Sequence, residues 1–123
     1  MRKENSTNNQ NRQQLQDFCG MIYAHDLING RWKMLILYKL EKKAMRYSEL
    51  KKLLPNITER MLTLQLKALE NDNLIVRSVF PEVPVKVEYA LSSSAMKLSP
   101  IWHALEKWGE DHRAQVSERV SYS

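Results

Sequence analysis

Cys19 is the only cysteine among 123 residues, so no disulfide within the chain can staple the fold. A lone thiol fits a reducing, cytoplasmic setting. Glycine is nearly as scarce: Gly20, Gly30 and Gly109 are too dispersed to form a glycine-rich loop that cradles phosphate. Long apolar runs are missing too. The longest, Met34 to Tyr38, falls far short of the roughly 18 residues a membrane helix requires. The first fourteen residues carry no apolar stretch after Met1, which does not fit a secretory leader. His25, His103 and His112 show no metal-ligand spacing, so no metal is expected and all three are read as packing or surface residues. No nucleophile–base pair, useful carboxylate pair or cofactor loop appears, so neither an enzyme nor a cofactor is expected.

What is present is one domain's length of chain with 43% apolar residues, enough for a single core. The net charge of +5 is unevenly distributed. Residues 31–67 hold ten basic and three acidic side chains, whereas the rest of the chain holds nine and eleven. A basic middle in an otherwise slightly acidic chain points to a polyanion-facing patch.

The Asn/Gln-rich residues 1–14 read as a disordered tail, residues 15–116 as the folded domain and residues 117–123 as a flexible end. A helix over 15–28, with Phe18 and Ile22 at helical spacing, stops at Asn29-Gly30. A second over 31–43 buries Trp32, Leu35, Ile36 and Leu40, while Lys33, Lys39 and Lys43 make a solvated face. A short helix over 46–54, with Ser48 as its N-cap, ends at Pro55-Asn56. Thr58 caps a fourth helix running to about Asn71, which completes a helix-turn-helix. At 100° per residue, Leu62, Leu66 and Leu69 fall on one side of this helix, and Arg60, Thr63, Leu64 and Lys67 on the other. The second set suits a major groove, but it equally describes an ordinary surface. The next stretch favours the groove: β-branched residues 74–80 and alternating residues 85–91 flank the stiff tip Pro81-Glu82-Val83-Pro84. The expected fold is therefore mainly α with a small β-hairpin wing. Ser92 to Ser94 cap a C-terminal helical region that restarts at Ser99-Pro100. Ile101, Leu105, Trp108 and His112 then form a stripe that needs cover from the N-terminal helix or a second subunit.

The chain resembles the HxlR-type winged helix-turn-helix regulators, a bacterial group related to the MarR-like regulators. The matching segments include Leu-Ile-Asn-Gly-Arg-Trp-Lys (27–33), Arg-Tyr-Ser-Glu-Leu-Lys (46–51), Pro-Asn-Ile-Thr-Glu-Arg-Met-Leu-Thr (55–63), Pro-Glu-Val-Pro-Val-Lys-Val-Glu-Tyr (81–89) and Leu-Ser-Pro-Ile (98–101). The resemblance implies a homodimeric regulator that binds double-stranded DNA and is dimerised by its N- and C-terminal helices. It further implies a cysteine near the N-terminus that senses electrophiles or oxidants in some members. Cys19 stands at that position, thirteen residues before Trp32, although Gly20 follows it where the family usually has proline. The wing's basic residue, often arginine in the family, is Lys86 here.

The expected DNA contacts are Thr58, Arg60, Thr63 and Lys67 on the recognition helix, Arg46, Ser48 and Lys51 at the start of the preceding helix, and Lys86 in the wing. Arg77 is left open between DNA contact and plain surface. The expected dimer contacts are Phe18, Ile22, Ile101, Leu105 and Trp108. Cys19 is either a redox sensor or a small packed hydrophobe. The leading reading is a repressor on a pseudo-palindromic operator, open to an oxidant or small-molecule effector. The alternative is a winged-helix module for protein–protein contact whose basic face is incidental.

Overall fold

The computed structural model describes the backbone of residues 3–122 and the side chains of residues 9–119. Along the chain run α1 (Lys3–Phe18), α2 (Gly20–Ile28), α3 (Lys33–Leu40), α4 (Tyr47–Leu53), α5 (Glu59–Asn71), β1 (Ile75–Phe80), β2 (Lys86–Leu91), α6 (Ser93–Met96) and α7 (Ser99–Tyr122). Among the described residues no helix is long and apolar enough to cross a membrane.

The core forms where α3, α4 and α5 meet. Ile36, Leu37, Leu50, Leu54, Leu62 and Leu69 are its largest fully buried side chains. The burial of α3 differs slightly from expectation. Ile36 and Leu40 are buried, but Leu37 joins them, while Trp32 and Leu35 pack half-buried at the margin. The turn between α4 and α5 depends on Asn56, at φ 65°, a left-handed conformation that asparagine tolerates better than most side chains.

The hairpin pairs antiparallel in the register Ile75↔Leu91 to Phe80↔Lys86. Only its base enters the core, through Ile75 and Leu91, because a two-stranded ribbon has no third layer to bury the rest. Two backbone hydrogen bonds between Met45 and Tyr89, at 2.9 and 2.8 Å, fasten β2 to the segment before α4. This order of elements, a helix-turn-helix followed by a hairpin, is a winged helix.

Three boundaries correct the sequence reading. Residues 3–14, expected as a disordered tail, are helical. No glycine or proline interrupts Lys3 to Phe18, and Gln13 donates one turn ahead to Asp17 at 2.9 Å. The single helix expected over 15–28 is two. Cys19 adopts φ −140°, ψ 116°; its N–H closes α1 on Leu15, and its carbonyl opens α2 by accepting from Ile22 and Tyr23. The C-terminal segment from 117, expected to be flexible, continues α7 to Tyr122.

A polar clasp joins α3 to α7. The Glu41 carboxylate, at the end of α3, accepts from the Ser99 hydroxyl, from Trp102 Nε1 at 3.2 Å, and contacts His103 Nε2 at 2.7 Å. Beside it the Tyr38 and His103 rings lie 5.6 Å apart. A hydrogen bond to Glu106 and that residue's charge hold the Tyr38 phenol above its ordinary value. The Ser99 hydrogen bond, followed by that of His103, holds the Glu41 carboxyl below the ordinary glutamate value. A carboxylate whose folded pKa is depressed stabilises the fold above its unfolded pKa, and that contribution is lost as pH falls through the folded value. Acid titration of thermal stability is therefore expected to show a loss below about pH 4 that Glu41→Gln reduces. Identical acid profiles for the two proteins would exclude Glu41 as a source of that loss.

Candidate nucleic-acid interface

The two faces of α5 separate cleanly. At its start, Thr58 Oγ1 accepts the Met61 N–H at 3.0 Å, and Glu59 sits favourably in the first turn. At its end, Asn73 takes φ 59°; its N–H reaches the Glu70 carbonyl at 3.1 Å and that of Leu74 reaches Leu69 at 2.9 Å. This double closure is a Schellman motif, sealed by buried Leu69 and Leu74. Between the caps Leu62, Leu66 and Leu69 are buried, while Arg60, Thr63, Leu64 and Lys67 are exposed. The side chains of Arg60, Thr63 and Lys67 make no hydrogen bond or ion pair among the described residues, so their donors face solvent.

The preceding helix departs from expectation at its cap. Arg46, not Ser48, holds the N-cap of α4. Glu49 Oε1 accepts the Arg46 N–H at 3.1 Å, and Lys43 Nζ lies 3.4 Å from Glu49 Oε2. That N–H, followed by Lys43, keeps the Glu49 carboxyl below its ordinary value. Glu49 at N3 satisfies the N–H of the cap residue, the half of a capping box that its own position supplies, and Ser48 lies inside the helix with its side chain exposed. Arg46 is exposed as well, and Lys51 is half-buried. The Tyr47 hydroxyl donates to the Glu59 carbonyl at 3.0 Å, which ties the first turn of α4 to the first turn of α5.

In the wing, the Lys86 ammonium is engaged. It lies 2.9 Å from Glu88 Oε1 and 5.1 Å from the centre of the Phe80 ring, and its side chain is only 27% exposed. The tip instead presents Val83, fully exposed, between Pro81 and Pro84. Where α5 meets the wing a cleft of ≈ 370 Å³ opens, lined by Thr63 and Lys67 of α5, Arg77 of β1 and Tyr89 of β2. The sequence reading left Arg77 open and passed over Tyr89. The strand register that sets them opposite each other was the signal that could have joined them.

The residues expected at a dimer contact are largely uncovered. Phe18 is 88% exposed at the end of α1, Ile22 is half-buried on α2, and Ile101, Leu105 and Trp108 are all more than half exposed on α7. Cys19, half-buried, stands at the junction of α1 and α2.

A family model described as HxlR-like helix-turn-helix matches residues 27–117. The uncharacterized HTH-type transcriptional regulator YdeP of Bacillus subtilis is 43% identical over 100 residues, covering 81% of this chain and 78% of YdeP. Among solved structures, the redox regulator HypR in its reduced form superposes with a TM-score of 0.77 at 37% identity, over 81% of this chain and 99% of HypR. The reduced form of the transcriptional regulator YodB from B. subtilis superposes at 0.68 with 32% identity, over 75% of this chain and 91% of YodB. The relatives are transcriptional regulators rather than enzymes, the fold is theirs, and the chain belongs to the HxlR-like helix-turn-helix family.

Proposed function

We propose that this protein is a cytoplasmic, homodimeric transcriptional repressor that binds a pseudo-palindromic DNA operator and releases it when Cys19 is oxidised or alkylated. The observation that carries the reading is the exposed face of α5. Two unpaired cations, a hydroxyl and a leucine stand together opposite a wholly buried leucine face. Cations meet guanine edges or phosphates, and the apolar groups meet thymine methyls. Arg46 and Ser48 at the start of α4 and Lys51 in its last turn supply phosphate contacts, and Thr58 keeps its hydroxyl hydrogen for DNA while its oxygen caps α5. Lys86 contributes only by exchanging Glu88 for a phosphate. Dimerisation through α2 and α7, with Phe18 at the end of α1, presents two copies of α5. A two-fold protein then selects a two-fold site.

The test is a mobility shift against the DNA upstream of the protein's own gene. Arg60→Ala or Thr63→Ala is expected to cost about 1–3 kcal/mol and to relax sequence discrimination. Binding by the wild type should also fall steeply with salt, with a log–log slope of about −0.9 per phosphate contacted. If both variants kept full operator preference, α5 would not be the reading face. If wild type bound no sequence preferentially, the chain would be a protein–protein module instead.

The neighbours HypR and YodB, described respectively as a redox regulator and as structures in reduced and diamide-treated forms, support the part given to Cys19. Its backbone joins α1 to α2, so a bond formed there acts on the helices assigned to the dimer. Two Cys19 thiols joining across the subunits would yield two protons and two electrons to diamide and rotate one α5 against the other. Recognition helices that must fit grooves about 34 Å apart tolerate little rotation. Diamide is expected to release wild type from the operator and to leave Cys19→Ser bound. Equal responses would make Cys19 a packing residue.

A further inference from the structure

We propose that the cleft between α5 and the wing is a seat for one sugar–phosphate unit of the DNA backbone, with Arg77 and Lys67 holding its phosphate. The proposal rests on the DNA-binding reading above and adds to it Arg77, outside the helix-turn-helix, as the partner of Lys67 at one phosphate.

A recognition helix lies in a major groove, and a wing beside it reaches toward the adjacent minor groove. One phosphate strand always separates those two grooves, so the seam between helix and wing is where that strand must cross. At this seam the structure has a cleft of ≈ 370 Å³ rather than a flush contact. Its lining suits a sugar–phosphate. Lys67 comes from α5 and Arg77 from β1, and neither side chain makes a hydrogen bond or ion pair among the described residues. Leu66, buried, and the half-buried Tyr47 and Tyr89 supply apolar surface for a deoxyribose.

The walls are held before any ligand arrives. Arg77 and Tyr89 are directly opposed in the hairpin register. Tyr89 is clamped at both its N–H and its carbonyl by Met45, and Tyr47 is tied through its hydroxyl to the start of α5. A cation on such a scaffold loses little freedom on binding, which favours a fixed phosphate contact over a loose one. The wing's other basic group, Lys86, is paired with Glu88, so the wing's uncommitted cation is Arg77. Glu70 is the acid in the lining, and its charge opposes an anion there.

The experiment uses the full-length protein and a duplex selected by it from a random pool. Phosphates of that duplex are replaced singly by neutral methylphosphonates. Arg77→Gln is expected to weaken binding about tenfold per contact, as for a lost charge-assisted hydrogen bond, and to do so evenly across sequences. The salt slope should fall by about 0.9 for each phosphate contact removed. One methylphosphonate position per half-site should weaken wild type yet cost Arg77→Gln nothing further. Glu70→Gln should tighten binding to every sequence, and this arm stands even if Arg77→Gln folds poorly. Unchanged affinity and slope in Arg77→Gln, or full additivity with every methylphosphonate, would overturn the seat while leaving α5 as the reading helix. Selection of no duplex by wild type would overturn both readings.

Discussion

Trp108→Ala is expected to dissociate the proposed dimer and leave the single chain folded. Trp108 is 64% exposed and Leu105 is 51% exposed, one helical turn apart on α7. Together with Ile101, Met21, Ile28 and Met34 they line an open, almost wholly apolar groove of ≈ 950 Å³ between α2 and α7. A groove shared by two helices, with Ile101, Leu105 and Trp108 exposed along it, matches what a second copy of the same helices presents. Helix α7 itself argues the same way. Its 24 residues extend about 36 Å, and beyond Trp102 every described side chain on it is exposed. Truncating a large buried side chain costs about 2–5 kcal/mol, and in a two-fold interface each truncation occurs twice. Analytical ultracentrifugation is expected to find wild type dimeric, and Trp108→Ala and Leu105→Ala monomeric at the same concentrations. Operator binding should be lost with the dimer, because one half-site alone neutralises half the phosphates. A variant that sediments as an unchanged dimer would remove its residue from the interface.

Trp102→Ala is expected to do the opposite damage: the chain itself should lose stability. Trp102 lies six residues before Trp108 on the same helix, yet it is 3% exposed and belongs to the core cluster. Its ring seats the start of α7, and its Nε1 donates to Glu41. Replacing a buried tryptophan by alanine costs about 3–5 kcal/mol, a large share of the roughly 5–15 kcal/mol that holds a domain together. Thermal denaturation followed by circular dichroism should show the midpoint lowered by about 10–20 °C. Trp108→Ala monomers should retain the wild-type helical signal at room temperature. If Trp102→Ala melted at the wild-type temperature, the seating of α7 would rest on other contacts.

Legibility in the sequence followed the range of the interaction. The faces of α5 could be read from residues 58–71 alone, because helical period and the Thr58 cap are properties of neighbouring residues. The Pro55-Asn56 turn and the hairpin are local in the same way. The exposed stripe of Ile101, Leu105 and Trp108 was legible as a surface in need of cover.

Other features escaped because they depend on partners far along the chain or on competition between neighbours. Ser48 is a good cap by residue type, but Glu49 accepts the Arg46 N–H and moves the cap back to Arg46. Lys86 reads as a free wing cation until β2 brings Glu88 alongside it. The Glu41 clasp closes over 58 to 62 residues of sequence, and no local pattern announces it. What the sequence by itself determined is the helix-turn-helix, the hairpin that follows it and the two faces of α5, since each is encoded within a few residues. What only the tertiary structure decided is which tryptophan faces the core, where the chain breaks at Cys19, and that Arg77 shares a cleft with Lys67. The physical reason is that hydrogen-bond competition and packing between distant elements select among side chains that are equivalent by local propensity.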